Sequence, residues 1–187
     1  MSARKPRRER PPLDQQALSD LALRYVGRFA TTRSKLLTYL RRKLRERGWS
    51  GTSEPDLEAM VQRFVELGYI DDAGYALSKS RSLTGRGYGV TRVVQSLRIA
   101  GVEEEDGLEA RAHAEQQAVS AALRFAERKR IGPFATASAD PKARQRALAT
   151  MVRAGHSFAL SRAIVDLCPG IEPDRSALSH AAGCRGD

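Results

Sequence analysis

Three glycines, Gly48, Gly101 and Gly155, close similar helical patterns at intervals of 53 and 54 residues. Four and eight residues before each glycine the chain carries an apolar residue, and these pairs are Leu44 and Leu40, Leu97 and Val93, and Met151 and Ala147. Such spacing places apolar residues on one side of a helix, and glycine supplies the left-handed residue that ends it. A period near fifty predicts a tandem array of units that bury their apolar faces by stacking. We therefore expect the function to reside on a long, repetitive surface.

No segment alternates apolar and polar residues with a period of two, so the sequence predicts an all-α fold with three helices in each repeat. We divide the chain into a disordered basic arm (1–12), helical repeats (13–69, 70–114 and 115–168) and a flexible tail (169–187). Phe29 and Leu67 are placed on the apolar sides of the first and third helices. After Gly101 the pattern predicts a longer helix that breaks near Gly107 or continues to Arg130.

Composition favours a polyanionic partner. The chain has 187 residues, 41% of them hydrophobic but only 6% aromatic, so its core should be aliphatic and shared among thin helical layers. Lysine and arginine number 32 against 22 acids, which gives a net charge of +10 and suits phosphate neutralisation. Two cysteines cannot build a disulfide framework, and no apolar run suggests a secretory signal or a membrane span. We expect a cytoplasmic protein without membrane contact.

Basic residues lie on the outer side of the middle helix of each repeat, and the stretch from Lys79 to Arg98 contains no acid. Stacked repeats would align these helices as a stripe that contacts backbone phosphates, although each helix alone would be an ordinary solvated face. The candidate binding residues are Lys35, Arg42, Arg45, Arg81, Arg86, Tyr88, Arg92, Arg98, Lys142 and Arg146. Tyr88 either stacks on a base or packs beneath the next helix.

The other motifs favour structural roles. The segment from Gly85 to Gly89 lacks the lysine and hydroxyl residue of a phosphate-binding loop, so we interpret it as a flexible turn between helices. Asp71 and Asp72 suit a helix start rather than a metal, and His156 follows a helix-ending glycine as part of a turn. No catalytic constellation is evident from spacing, and the sequence predicts neither enzymatic activity nor a cofactor, a metal or a small-molecule substrate.

The middle repeat carries a recognisable set of residues: Gly68-Tyr69-Ile70-Asp71-Asp72, Tyr75-Ala76, Arg81, Arg86-Gly87-Tyr88-Gly89 and Arg92. This set resembles the signature of the RecX family, bacterial proteins that regulate the RecA recombinase. Weaker matches extend the resemblance over about residues 17 to 167, and Arg144 replaces the apolar residue found at Leu37 and Val90 in the first two copies. The resemblance implies three tandem three-helix repeats in an elongated, curved array. It also implies binding along RecA filaments on single-stranded DNA, with reduced ATP hydrolysis and strand exchange.

Two alternatives remain open at the level of sequence. Short three-helix units with a basic helix can resemble helix-turn-helix readers, which would make the chain a direct duplex-DNA-binding protein or a transcription regulator. An enzyme that acts on nucleic acid is the other alternative, and no carboxylate cluster supports it. The basic arm could contact a phosphate backbone or serve only as a solubilising tail.

Overall fold

The computed structural model describes residues 11–183, and within this range the chain forms ten α-helices and no β-strand. The all-helical fold predicted from the sequence is confirmed. In chain order the helices are α1 (Gln15–Val26), α2 (Arg33–Arg47), α3 (Leu57–Glu66), α4 (Asp72–Gly85), α5 (Val90–Ile99), α6 (Leu108–Gln116), α7 (Ala118–Lys129), α8 (Pro141–Arg153), α9 (Phe158–Val165) and α10 (Arg175–Gly183). A 3-10 helix, Gly132–Phe134, lies between α7 and α8. The predicted basic arm lies outside the described residues except for Pro11 and Pro12.

The described residues divide into two compact units, with the boundary between Asp71 and Asp72. In the first unit, α1, α2 and α3 surround one core in which Leu13, Leu36 and Leu40 are fully buried. The backbone of Leu13 exchanges two hydrogen bonds with the segment after α2: its N–H donates to the Gly48 carbonyl (3.0 Å), and its carbonyl accepts from the Ser50 N–H (2.9 Å). These bonds fix the chain entering α1 against the end of α2.

Side-chain caps start the helices of the first unit. An oxygen of each capping residue accepts a hydrogen bond from a backbone N–H three residues later, and the pairs are Asp14 with Ala17, Thr32 with Lys35, and Asp56 with Ala59. A cap satisfies one of the N–H groups that a helix start leaves without a partner, and it contributes about 1 kcal/mol.

The second unit encloses two cores. Helices α4 to α6 bury a small aliphatic core around Leu83, Val93 and Leu97. Helices α7 to α10 bury a larger one, in which Met151 and Ile164 are fully inaccessible. Together with the core of the first unit, three successive sets of helices, α1–α3, α4–α6 and α7–α10, each surround a core of their own. The division into three three-helix repeats stays a prediction.

The three glycines of the repeat have the predicted conformation. Their φ angles are +79° at Gly48, +68° at Gly101 and +95° at Gly155, all in the left-handed region that an L side chain rarely adopts. The prediction that glycine ends each helix in a left-handed conformation is confirmed.

The predicted flexible tail is wrong between residues 175 and 183, where α10 forms. Its Leu178 is buried in the same core as α7 and α9, and the Asp174 carboxylate accepts from the N–H groups of Ser176 (2.8 Å) and Ala177 (3.3 Å). One apolar residue and one cap are a weak local signal, so this helix depends on tertiary packing. Residues 184–187 lie outside the described part of the chain.

Two further expectations differ from the structure. The helix predicted after Gly101, with a break near Gly107 or continuing to Arg130, forms two helices: α6 begins after Gly107, and Gln117 separates α6 from α7. Phe29 and Leu67 are 52% and 60% exposed, although both were placed on apolar faces. Each lies beyond the end of its helix, so the helical periodicity no longer determines where its side chain points. Across residues 11–183 no helix is long and apolar enough to cross a membrane.

Candidate nucleic-acid interface

A group of predicted contact residues surrounds the turn between α4 and α5. The Arg86 guanidinium lies 5.6 Å from the centre of the Tyr88 ring, and the Arg92 guanidinium lies 6.0 Å from it. Both arginines are exposed, as are Arg81 and Arg98 on the flanking helices. Tyr88 is half-buried and packs against both cores of the second unit, which favours the packing interpretation of this residue. The structure thus brings three of the predicted residues together.

Backbone hydrogen bonds and helix α7 fix this turn. The N–H of Gly87 donates to the Thr84 carbonyl (2.8 Å), which closes the end of α4. From α7, Arg124 donates to the carbonyls of Thr84 (3.0 Å) and Gly85 (3.2 Å), and Arg128 donates to that of Arg86 (2.5 Å). Cations at the end of a helix also interact favourably with its dipole. The turn is therefore not the loose connection that its glycines suggest.

A close approach of two glycines attaches the start of α5 to the end of α8. A Cβ atom on Gly89 would lie 2.2 Å from the Gly155 carbonyl oxygen, and one on Gly155 would lie 2.5 Å from the Arg92 nitrogen. At this contact the Gly89 N–H donates to the Ala154 carbonyl (3.0 Å), and the Thr91 N–H donates to the Gly155 carbonyl (3.1 Å). The beginning of one helix and the end of another thus satisfy each other's free backbone groups.

His156 is buried below the same turn, a role that the sequence did not predict. Its Nε2 lies 3.1 Å from the Gly87 carbonyl oxygen, and its ring lies 5.5 Å from that of Phe125. Because a carbonyl only accepts, Nε2 must carry the proton of the neutral ring. Burial lowers the pKa of His156 to about 4, and the hydrogen bond to Gly87 raises it by less. The ring is therefore neutral at physiological pH.

In the first unit the predicted cations lie on α2. Arg42 and Arg45 are exposed, whereas Lys35 is half-buried. The Arg42 guanidinium lies 3.6 Å from the Glu46 carboxylate and 5.6 Å from the centre of the Tyr39 ring. An exposed ion pair of this kind contributes little to stability, so Arg42 can exchange Glu46 for a phosphate at small cost.

Aromatic rings accompany these cations, a grouping that the sequence analysis missed. Tyr25 stacks on Tyr39 with ring centres 4.3 Å apart, and the exposed Phe29 lies 5.5 Å from Tyr25. The Arg28 guanidinium lies 5.5 Å from the centre of the Phe29 ring. The spacing of Tyr25 and Phe29, four residues apart, was the available signal.

In the third repeat, Lys142 and Arg146 are exposed on α8, and Arg146 lines a cavity of about 400 Å³. Arg144, where the first two repeats have an apolar residue, is also exposed and lines the same cavity. The alignment of the basic helices of all three repeats into one stripe remains a prediction.

The described residues contain no group of histidine, cysteine, aspartate and glutamate side chains that could hold a metal ion. His113 instead contacts the buried Ser80 hydroxyl through Nδ1 at 3.0 Å. That hydroxyl donates to the Ala110 carbonyl (2.8 Å), so it joins α4 to α6.

Individual relatives, rather than a family model, identify the family of this chain. No family model matches the chain. The chain is similar to the regulatory protein RecX of Myxococcus xanthus, with 34% identity over 160 residues that cover 81% of this chain and 86% of that relative. It is also similar to the regulatory protein RecX of Vibrio vulnificus, with 35% identity over 65 residues that cover 35% of this chain and 40% of that relative.

Solved structures share the fold. The crystal structure of RecX from Lactobacillus salivarius matches with a TM-score of 0.58 and 17% identity, over 80% of this chain and 93% of that one. A crystal structure of a regulatory protein RecX matches with a TM-score of 0.57 and 20% identity, over 81% of this chain and 70% of that one. The structural matches establish a common fold, and the longer sequence match establishes common descent. The chain belongs to the RecX family of regulatory proteins.

Proposed function

We propose that this chain is a non-enzymatic regulator of the RecA recombinase. It binds along the RecA filament on single-stranded DNA and dampens ATP hydrolysis and strand exchange. It acts in the cytoplasm, requires no cofactor and takes no small-molecule substrate. Membership of the RecX family supports this proposal, and so does the resemblance of the middle repeat around Arg86, Tyr88 and Arg92.

The observation that carries the proposal is the pair of exposed guanidinium groups on either side of the α4–α5 turn. Arg86 and Arg92 both lie against the Tyr88 ring, so their side chains are partly ordered before binding. Arginine binds phosphate and carboxylate groups through two parallel hydrogen bonds, which suits either component of a nucleoprotein filament. The excess of positive charge over the whole chain would speed the encounter with such a polyanion.

The test is RecA-catalysed ATP hydrolysis on single-stranded DNA with the protein titrated in. We expect hydrolysis to fall as the protein is added and the protein to co-sediment with the filaments. The double variant Arg86→Glu and Arg92→Glu should raise the concentration needed for half-inhibition by at least about tenfold, because each lost charged contact costs roughly 1.5–3 kcal/mol.

The matched control reverses Arg24 and Arg63, two exposed arginines of the first unit that are not candidate contacts. It changes the net charge equally and should retain inhibition. Circular dichroism of both variants should show unchanged helicity. Full inhibition by the Arg86 and Arg92 variant would show that this turn is not the contact surface, and an unaffected RecA would contradict the proposal itself.

A second candidate is a protein that binds duplex DNA directly and regulates transcription. Helices α8 and α9 are joined by a short turn at 154–157, as in a helix-turn-helix motif. In that motif the second helix, here α9 with its exposed Arg162, would enter the major groove, and the basic α8 would cross the phosphate backbone. Sequence-specific retention of a duplex at about 150 mM salt in the absence of RecA would favour this candidate. Retention that disappears at this salt concentration without sequence preference would exclude it.

A further inference from the structure

Two adjoining cavities open on the third repeat. The larger, of about 400 Å³, lies among the end of α7, helix α8 and the segment after α9, and its lining includes Lys129, Arg130, Arg144 and Arg146. The smaller, of about 200 Å³, lies between α8 and α9 and is lined by Arg144, Phe158 and Arg162 among others. Arg144, Val165 and Asp166 line both, so the two cavities form one continuous surface, which we call the α8–α9 groove.

Positive charge dominates the α8–α9 groove. Its five cations, all exposed, are Lys129, Arg130, Arg144, Arg146 and Arg162. Among the described residues that line it, Asp166 alone is acidic, and its carboxylate lies 3.6 Å from the Arg162 guanidinium. Like charges gathered in one concave surface repel one another, and a polyanion that displaces their counterions relieves this repulsion.

Phe158 gives the groove an exposed aromatic ring. It is the first residue of α9 and is 59% exposed, although the neighbouring Leu160 and Ile164 are buried. The preceding Ser157 caps α9 by accepting from the Leu160 N–H, so one of the free N–H groups at the start of this helix already has a protein partner. An exposed phenyl ring beside guanidinium groups is a stacking platform for a flat aromatic partner.

The backbone at the edge of the larger cavity has an uncommon conformation. Arg130 adopts φ +53° and ψ +51°, and no other non-glycine residue in the described part of the chain has positive φ. This left-handed residue ends α7, with its N–H donating to the Glu127 carbonyl at 3.0 Å. A residue with a side chain rarely adopts this conformation. It directs the chain so that Arg130 borders the cavity rather than continuing the helix.

We propose that the α8–α9 groove binds a single strand of nucleic acid, with its cations on successive phosphates and Phe158 stacked on a base. Phosphate contacts explain the charge, and base stacking explains the exposed ring, which an acidic peptide would leave without a flat partner. The inference deepens the proposed function and rests on it, because the DNA of the RecA filament would supply the strand.

The test measures binding of a fluorescent oligothymidylate to the full-length chain without RecA. Phe158→Ala should weaken binding by at least about fivefold, because base stacking on one aromatic residue is worth roughly 1–3 kcal/mol. Phe158→Tyr, which keeps the ring, should restore it. Ile99→Ala removes an exposed apolar side chain from α5 and is the matched control, with no expected effect.

The cations give a different signature. Replacement of Arg144 and Arg146 by glutamine should weaken binding and also flatten its salt dependence. The slope of log affinity against log salt should fall by roughly 1.4, since each phosphate contact on a single strand contributes about 0.7. Phe158→Ala should leave that slope unchanged, because stacking releases no counterion. Equal affinity of wild type, Phe158→Ala and the double glutamine variant would overturn the proposal.

Cys168 lines the larger cavity and is exposed, so it reports occupancy directly. In a Cys184→Ser background it is the sole remaining cysteine, and oligothymidylate should slow its alkylation. Protection by polyglutamate but not by oligothymidylate would assign the groove to an acidic protein segment and contradict the proposal.

RecA assays on the same variants separate the two proposals. If oligothymidylate binding depends on Phe158 but the wild-type protein leaves RecA unaffected, the groove is confirmed and the regulatory proposal fails. If the wild type inhibits RecA but no variant changes oligothymidylate binding, the regulatory proposal stands and the groove fails.

Discussion

Acidification should destabilise the second unit through His156. Burial holds the pKa of this residue at about 4 in the folded protein, against 6.5 in an unfolded chain. Between these two values the unfolded state binds a proton that the folded state does not. The free energy of unfolding therefore rises with pH across this window, and the contribution of the buried neutral ring is complete above about pH 6.5.

The magnitude follows from the two pKa values. The difference between 6.5 and about 4 corresponds to roughly 3 kcal/mol, at about 1.4 kcal/mol for each pKa unit. About 2 kcal/mol of this should already be lost at pH 5 relative to pH 7.5. With a urea dependence of roughly 2 kcal/mol per molar, the unfolding midpoint should fall by about 1 M between these pH values.

Two measurements check this prediction. Nuclear magnetic resonance should show that one of the three histidine rings titrates near pH 4, and that its signal is absent in His156→Gln. The glutamine amide can still donate to the Gly87 carbonyl but does not titrate, so the variant should lose less stability than the wild type on acidification. Urea unfolding followed by circular dichroism at pH 7.5, 6 and 5 gives the comparison.

The reasoning would be refuted by either of two results. One is a set of histidine signals that all titrate close to 6.5, which would mean that the His156 ring is solvated. The other is the same fall in the urea midpoint for wild type and His156→Gln, which would assign the pH dependence to carboxylates.

The remaining predictions concern a glycine and a helix cap. Gly155→Ala should destabilise the protein by about 3 kcal/mol or more, since it combines left-handed strain with a Cβ that would lie 2.5 Å from the Arg92 nitrogen. Gly170→Ala, with φ +80° and no neighbouring atom within 4 Å, should cost only about 1 kcal/mol when the two variants are compared by thermal unfolding. Asp140→Ala should cost about 1 kcal/mol and speed hydrogen exchange at the Ala143 amide, whereas Asp140→Asn keeps the cap and should change little.

Local chemistry predicts the helices of this chain well. Gly48, Gly101 and Gly155 all have the left-handed conformation that the repeat requires, and Thr32, a residue type that favours helix starts, caps α2. These features depend on residues within one or two helical turns, so periodicity and capping preferences identify them. The buried stripe of α2, with Leu36 and Leu40 inaccessible, follows from the same periodicity.

Features that depend on distant parts of the chain were not predictable in this way. The environment of His156 is created by Gly87, 69 residues earlier, and a histidine after a helix-ending glycine gives no local sign of burial. Helix α10 forms because Leu178 packs against α7 and α9, not because its own sequence is strongly patterned. Arg144 stands where the first two repeats have an apolar residue, and the sequence alone does not explain why. The structure shows that its exposed side chain lines two adjoining cavities.

The contact of Gly89 with Gly155 has a consequence for the kinetics of recognition. The start of α5 and the end of α8 are held together by close packing and backbone hydrogen bonds. The main chain that carries Arg86 and Arg92 is therefore already in place before any partner binds. If these arginines contact the proposed partner, docking would immobilise side-chain tips and leave the main chain as it was, which lowers the entropic cost of association. Variants of these two arginines should therefore differ chiefly in how long a complex survives, while the rate of encounter follows the net charge and the ionic strength.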